Sequence, residues 1–461
     1  MKQEFLPGVK RVHFVGIGGS GMSPLAEILH TLGFTITGSD VNESDNLARM
    51  RRLDIPVFLP QKAENVGDCD LVVYTAAVSA DNPELIAARE RGIPLLERAL
   101  LLGALSRRFQ NTVAVAGTHG KTTTSSMVSQ ILLQADRDPS VFIGGRLPLI
   151  DANGHAGRSD VFVCEACEFK DHYLEMNPAI SIILNVDADH LDYFGSLENV
   201  IASFRQFATQ TTGTLIVNAE DANPLKAVEG LTHASIVRYG YSPDCDWSAQ
   251  NVSVHDGAYG TYDLYHGREK LASVSLGVPG EHNVFNSVAA AAAAHLCGAT
   301  PEEIVAGLAA FHGAGRRFEF LGTVNDVTIA DDYAHHPTEI VATLNAAKAM
   351  PYARVWAIFQ PFTFSRTARH LDEFAEALAI ADEVIVSDIM GSREQNEWNV
   401  SSTQITDQIE GAHYLATFEE ISRFVAKNVK PNDLVLTMGG GDVYKCARMI
   451  KALLETNEFA F

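Results

Sequence analysis

Residues 112–134 constrain this chain more than any other stretch. Thr112-Val-Ala-Val-Ala116 is a short apolar run, Gly117-Thr-His-Gly-Lys-Thr-Thr123 is a glycine-bearing loop, and a Ser/Thr-rich helical pattern follows to Gln134. A buried strand that feeds a helix through a tight turn is the building unit of a parallel sheet, because parallel strands need a long crossover between them. The loop also specifies chemistry. Glycines let backbone N–H groups turn inward around phosphate oxygens, and the helix start adds positive potential. Lys121 offers a mobile cation to the β- and γ-phosphates of ATP, and Thr122 a hydroxyl to Mg2+. Val115 stands where the general GxxxxGK[ST] loop has its first glycine, so this loop is a shortened form. A capped helix carrying a surface lysine is the plain alternative. Strand, loop, Gly-Lys-Thr and helix in one register weigh against it.

The βα rhythm runs on in both directions. Upstream, strand patterns at Val12–Ile17, Thr35–Gly38 and Leu71–Thr75 alternate with helical patterns at Met22–Leu32, Leu47–Leu53 and Glu84–Glu90. Downstream, strands are expected at Val161–Cys164, Ile180–Leu184 and Leu215–Val217. An antiparallel section is expected at 247–278, with turns at Gly257 and Gly267, and helices at Asn286–Leu296 and Pro301–Phe311. Beyond Gly313, strands at Val327–Ala330, Val355–Phe359, Glu383–Val386 and Asp433–Met438 alternate with helices at Thr338–Ala349, Leu371–Ala379 and Phe418–Lys427. A chain of 461 residues exceeds one ordinary core. The reading is an α/β protein of three domains, 1–106, 107–313 and 314–461. The first is Rossmann-like, the second P-loop ATPase-like with a mostly parallel sheet, and the third Rossmann-like again.

Charge and cysteine usage exclude several function classes. The net charge of −22, with only 35 Lys and Arg, argues against nonspecific nucleic-acid or anionic-membrane binding. The six cysteines are scattered, and only Cys164 and Cys167 form a CxxC, without the second pair a zinc site needs. This suits a reducing cytosol, so a cytoplasmic location is expected. The stretch Met1–Gly8 lacks an apolar signal core, and no window reaches the roughly 18 apolar residues of a membrane span.

Four further clusters carry chemistry. Val15-Gly-Ile-Gly-Gly-Ser-Gly21 satisfies G-x-G-x-x-G, and Asp40 follows at the end of the next strand. Alone, that reads as a dinucleotide site and an NAD-dependent oxidoreductase. It leaves the Lys121 loop unexplained, and any diphosphate can rest on such a turn. Glu165 and Glu168 end one strand of the central section, and Asn185-Val-Asp-Ala-Asp-His-Leu-Asp192 ends another. Mg2+ takes oxygen ligands, so Glu165 is apt, whereas His190 would be an unusual ligand. Glu281-His-Asn-Val-Phe-Asn286 opens a helix, as caps or as readers of a purine edge. Asp331-Asp-Tyr-Ala-His-His-Pro337 and Gln360-Pro-Phe-Thr-Phe-Ser-Arg-Thr367 each follow a strand of the third section. The pair His335-His336 lacks a third zinc ligand at helical spacing, so polar substrate contacts are preferred, with a structural turn before Pro337 competing for His336.

In order along the chain, Gly16-Ile-Gly-Gly-Ser-Gly-Met22, Gly117–Thr123, Asp189-His190, His282-Asn283 with Asn286, Gly315-Arg-Arg-Phe318, Asp332-Tyr-Ala-His-His-Pro-Thr-Glu339 and Ser365-Arg-Thr367 together resemble the Mur ligases of peptidoglycan synthesis. The resemblance covers nearly the whole chain and is nearest to the alanine-adding branch. It implies ATP-dependent joining of L-alanine to UDP-N-acetylmuramate through an acyl phosphate, or, as the neighbouring possibility, joining of a recycled peptide to the same sugar nucleotide. It implies that Gly117, Thr118, His119, Gly120, Lys121, Thr122, Thr123, His282, Asn286 and Arg317 bind ATP. It implies that Thr122, Glu165 and His190 serve magnesium, and that Lys121, His190 and Arg317 are catalytic. Gly18, Gly19, Ser20, Gly21, Met22 and Asp40 would hold the UDP-sugar, and Tyr333, His335 and Arg366 the amino acid. A monomer or weak homodimer is expected. Three positions depart from family patterns. Phe204 stands where related ligases carry a modified lysine, Cys167 replaces an acidic residue common in the alanine branch, and Thr363 stands where many members place an arginine.

Overall fold

A computed structural model describes residues 6–392 and 394–456, with every side chain among them except that of Asp192. Part of the leader reading, Met1–Phe5, and the Asp192 side chain lie outside the described residues. The chain forms two compact units. The first comprises Met1–Gln250, Asp263–Val274 and Phe285–Ala310; the second comprises Asn251–Tyr262, Ser275–Val284 and Phe311–Phe461.

The first unit opens with β1 (Arg11–Val15), α1 (Ser23–Thr31), β2 (Thr35–Ser39), α2 (Asp45–Arg52), β3 (Val57–Phe58), β4 (Leu71–Tyr74), α3 (Pro83–Glu90), β5 (Leu95–Glu97) and α4 (Arg98–Arg108). The strands make a parallel sheet in the order β3-β2-β1-β4-β5. The order reverses at β1, so the turn after β1 opens at a switch point, where ligands of such sheets bind. A buried polar knot ties α3 to the inner strands β1 and β2 of this sheet. Glu84 accepts from Ser39 Oγ (2.5 Å) and Asn65 Nδ2 (2.7 Å) and lies 3.4 Å from His13 Nε2. Both ionisable side chains are fully buried.

The central strands are β6 (Asn111–Ala116), β7 (Ser140–Leu147), β8 (Ala152–His155), β9 (Val161–Glu165), β10 (Ile180–Ile183), β11 (Thr214–Asn218), β12 (Ser235–Gly240), β13 (Trp247–His255), β14 (Tyr259–His266) and β15 (Glu269–Pro279). Their helices are α5 (Lys121–Gln134), α6 (Leu191–Phe194), α7 (Leu197–Thr209), α8 (Ala222–Val228), α9 (His282–Leu296) and α10 (Pro301–Ala310). Among the described residues the sheet order is β15-β14-β13-β12-β11-β10-β6-β9-β7-β8. The pairs from β13 through β6 to β7 are parallel, and β8 is antiparallel to β7. Only short turns at Gly257 (φ 81°) and Gly267 (φ 58°) link β13 to β14 and β14 to β15, which restricts those pairs to the expected antiparallel arrangement. Phe204 is fully buried with its ring edge-on to Tyr173 at 5.4 Å, so that position belongs to the core.

The second unit contains β16 (Glu319–Val324), β17 (Val327–Asp332), α11 (Pro337–Ala349), β18 (Arg354–Phe359), α12 (Phe364–Arg369), α13 (Leu371–Leu378), β19 (Glu383–Val386), α14 (Thr403–Thr406), β20 (His413–Tyr414), α15 (Phe418–Asn428), β21 (Asp433–Met438) and α16 (Tyr444–Glu455). Its sheet runs β16-β17-β21-β18-β19-β20, parallel except for β16. Thus β21, last in sequence, inserts between β17 and β18, and three loops meet at one carboxyl edge. The α/β architecture expected from the sequence is the one observed. No helix among the described residues is long and apolar enough to cross a membrane.

Candidate active site

The loop between β6 and α5 turns on Gly117 (φ 144°) and Gly120 (φ 85°), backbone states that side chains resist. Asn185, just past β10, holds it in place. Its carbonyl accepts from Thr118 N at 3.2 Å, and its side chain accepts from His119 N (2.8 Å) and donates to His119 O (3.1 Å). Thr118 Oγ1 accepts from Asp187 N, and His119 Nε2 lies 3.3 Å from Asp187. Asn286 abuts the same turn: a Cβ on Gly120 would stand 2.8 Å from Asn286 Oδ1. His282 belongs to the second unit and Asn286 to the first.

Lys121 reaches back under its own loop. Its ammonium donates to Gly117 O (2.5 Å), Thr118 O (3.0 Å) and Glu168 Oε1 (2.9 Å). All three donors of the group are therefore engaged. Burial opposes its charge, but Glu168 above all, with Glu165, outweighs that and raises its pKa. The Glu168 side chain is only 4% exposed. Burial and the Glu168 charge push the Cys167 thiol up, against the pull of Lys121 and Arg98, so the CxxC cysteine beside this pair is a protonated thiol.

Near Lys121 the Glu165 carboxylate and the Thr122 hydroxyl meet against β7, where Gly144 N donates to Glu165 Oε1 at 2.5 Å. A Cβ built on Gly144 of β7 would stand 2.9 and 3.0 Å from the two Glu165 oxygens and 3.0 Å from Thr122 Oγ1. That is the donor chemistry Mg2+ takes, one carboxylate and one hydroxyl, with phosphate oxygens to complete the shell. Among the described residues no group of three His, Cys, Asp or Glu side chains could hold a metal without such help. His190 caps α6 in a left-handed conformation (φ 53°), with its ring 4.9 Å from Phe169 and its Nε2 3.8 Å from Asp189.

In the turn after β1, Gly18 N donates to Asp40 Oδ2 at 2.8 Å, and Val41 N donates to the other oxygen. Gly19 N and Met22 N are also engaged within the turn, and the Met22 side chain is buried in the core. Of the six residues expected at the sugar nucleotide, Ser20 and Gly21 retain backbone N–H groups with no hydrogen bond to a described residue. Ser20 is braced from the central sheet, its carbonyl accepting from Asn153 of β8.

The amino-acid candidates converge at one edge of the second unit. The ring of Tyr333, following β17, lies 5.1 Å from that of His335 and 5.2 Å from the Arg317 guanidinium. Arg316 is structural: it donates to Asp331, Gly439 O and Gly441 O and stacks on Tyr333 and Tyr444. Burial pushes the His335 pKa down against Glu339, and the charge of Arg366 pushes the same way. Burial raises Asp332 to about 6, against Arg317 and the N–H groups of Ala334 and Phe318. His336 is the N-cap of α11, the structural turn weighed for it. Thr363 sits at φ 67°, a costly state for a β-branched residue, and caps the turn that carries Arg366.

Sequence reasoning did not assign roles to Asn185, Gly144, Arg98 or the Gly439-Gly-Gly-Asp442 loop. The doublet Gly144-Gly145 inside an apolar run was the available signal of close approach. The same holds for three glycines after β21: a Cβ on Gly440 would stand 3.4 Å from both His335 and Phe362.

Family models agree with this architecture. The Mur ligase family catalytic domain matches residues 11–110, the Mur ligase middle domain 115–294, and the Mur ligase glutamate ligase domain 316–441. UDP-N-acetylmuramate–L-alanine ligase of Acetivibrio thermocellus is 42% identical over 447 residues, covering 95% of each chain. The crystal structure of UDP-N-acetylmuramate–alanine ligase from Thermotoga maritima superposes with a TM-score of 0.83 at 30% identity, covering 97% of this chain and 100% of that one. A murein peptide ligase from Psychrobacter arcticus gives 0.74 at 26% identity, covering 97% and 99%. The chain belongs to the Mur ligase family of ATP-dependent ligases.

Proposed function

We propose that this protein joins L-alanine to UDP-N-acetylmuramate, converting ATP to ADP and phosphate. The observation that carries the reading is the Lys121 ammonium close to the Thr122 hydroxyl and the Glu165 carboxylate at the head of α5, a cation and a pair of oxygen ligands side by side. Two anions have to meet, and such a site offsets their repulsion. An oxygen of the lactyl carboxylate attacks the γ-phosphorus, the bond to the β-phosphate oxygen breaks, and ADP leaves. The alanine amine then attacks the acyl carbon. The tetrahedral adduct collapses with cleavage of the carbon–oxygen bond to phosphate, and the amine proton passes to a base.

Lys121 and the loop amides hold the β- and γ-phosphates, with Arg317 assigned to the same charge. Thr122 and Glu165 would hold Mg2+, joined by His190 on the family pattern; the ion supplies further neutralisation of phosphate charge. His282 and Asn286 are assigned to adenine. The segment 1–106 takes the sugar nucleotide, 107–313 ATP, and 314–461 the amino acid, with Tyr333, His335 and Arg366 as contacts. Relatives named for the alanine reaction support alanine over a peptide.

The test is ADP release with UDP-N-acetylmuramate plus L-alanine, against the same sugar nucleotide plus tripeptide. Turnover with alanine is expected. Turnover with tripeptide alone overturns the assignment in favour of the recycling reaction.

A further inference from the structure

Arg98 is the first residue of α4, and its side chain leans across the turn after β1. A Cβ on Gly21 would stand 3.2 Å from Arg98 Cδ and 3.3 Å from one of its terminal nitrogens. The guanidinium, a fork of five donors, makes no hydrogen bond or ion pair with any described residue. Lys121, which shares the neighbour Cys167 with it, is by contrast paired with Glu168. The nearby acids are committed elsewhere. Glu97 lies 3.5 Å from His172 Nε2, and Asp40 accepts from Gly18 and Val41.

The position of Arg98 is fixed by the helix behind it. Gly103 of α4 packs so tightly on the backbone of Glu175 that a Cβ there would stand 2.3 Å from its carbonyl oxygen. Arg107 donates to the same oxygen at 2.6 Å. The charge of Arg98 is felt at His172, whose pKa it lowers together with burial, and at Cys167, where it opposes the rise that burial causes. A guanidinium without a partner among the described residues, held by a docked helix, therefore stands against Gly21, and the N–H groups of Gly21 and its neighbour Ser20 make no hydrogen bond to a described residue either. A guanidinium next to Gly21 and two backbone N–H groups without a partner among the described residues put three donor groups in one turn, the kind of donor set that takes phosphate oxygens.

We propose that Arg98 binds the diphosphate of the sugar nucleotide, completing a site whose other donors are the Ser20 and Gly21 amides. This rests on the sugar-nucleotide reading of the Gly16–Gly21 turn. A guanidinium against the diphosphate separates a nucleoside diphosphate from a monophosphate.

The test titrates the full chain with UDP and with UMP, in saturating ADP so that the Lys121 loop is filled, for the wild type, Arg98→Ala and Arg98→Lys. The wild type is expected to bind UDP more tightly than UMP. Arg98→Ala is expected to lose tenfold or more for UDP, little for UMP, and to keep its melting temperature without ligand within a few degrees, because the side chain makes no hydrogen bond or ion pair with a described residue. Arg98→Lys falls between, since a lysine cannot chelate two oxygens. UDP affinity in Arg98→Ala within twofold of wild type overturns the inference. So does an equal loss for UDP and UMP, or a lowered melting temperature with unchanged UDP affinity. If the wild type binds neither UDP nor UDP-N-acetylmuramate, the sugar-nucleotide reading itself falls.

Discussion

Lys121 and Glu168 hold each other at 2.9 Å in a buried setting, so a phosphate oxygen gains the lysine only by displacing a protein acceptor. Glu168→Gln keeps the shape of the acceptor and removes its charge. At an effective dielectric of about 20, two unit charges 2.9 Å apart attract by about 6 kcal/mol. Leaving a buried ammonium without its counterion costs about 3 kcal/mol of stability once reorganisation is allowed. The variant protein should therefore melt at a lower temperature without added nucleotide. The same change removes a competitor for Lys121. Recovering a quarter of the gross attraction, about 1.4 kcal/mol, is tenfold in affinity. Glu168→Gln is thus expected to bind ADP about tenfold more tightly than wild type, and ADP should raise its melting temperature by a larger increment. Calorimetric titration with ADP and thermal melts with and without it measure the two effects. A folded variant with unchanged or weaker ADP binding would refute the idea that Glu168 competes for the lysine.

Lys121→Ala should lower ADP release more than about 100-fold, as expected when a positioned charge at phosphoryl transfer is lost; near-normal turnover would remove it from the phosphate role. Asp332 holds its proton to about pH 6 in the folded protein but only to about 4 when unfolded, so folding takes up a proton in that window. Its contribution to stability therefore declines as pH rises from about 4 to about 6, by about 2–3 kcal/mol, and is level above that. Denaturation midpoints of wild type and Asp332→Asn across this range should converge at the low end and diverge upward; parallel curves would contradict the assignment. Glu84→Ala strands His13, Ser39 and Asn65 in the core and should cost about 3–5 kcal/mol in urea unfolding, whereas a loss below about 1 kcal/mol would show the knot to be idle.

Elements that repeat a local period were readable from the chain. The strands β1, β6, β10, β18 and β21 are apolar runs ended by turn residues, and each was expected within a residue or two. Gly257 and Gly267 marked their turns because positive φ leaves few alternatives. What escaped was non-local. Short edge strands such as β5 and β20 have too few residues for any period, and β7 is broken by Gly144-Gly145. The insertion of β21 between β17 and β18 is a pairing choice that no local pattern encodes. The site divides the same way. Lys121 and Thr122 announce themselves by spacing, but the pairing of Glu168 with Lys121 spans 47 positions and is made by strand order. Arg98 looked like an ordinary helix residue, because nothing in its own neighbours says that it lacks a partner.

Gly144 carries a consequence for variation in this protein. Its backbone is not in the left-handed region, so the strand itself would accept a side chain there. The obstacle lies in the side chains it meets. The methyl of Gly144→Ala would stand about 3 Å from three oxygens, too close for carbon, so the Glu165 carboxylate would have to swing away from Thr122, while the residues through which β7 pairs with β9 stay untouched. Catalysis and folding can thus fail independently at this position. On the proposed role of Thr122 and Glu165, a variant here should stay folded and still be silent, so screens that score abundance or solubility alone would count it as harmless.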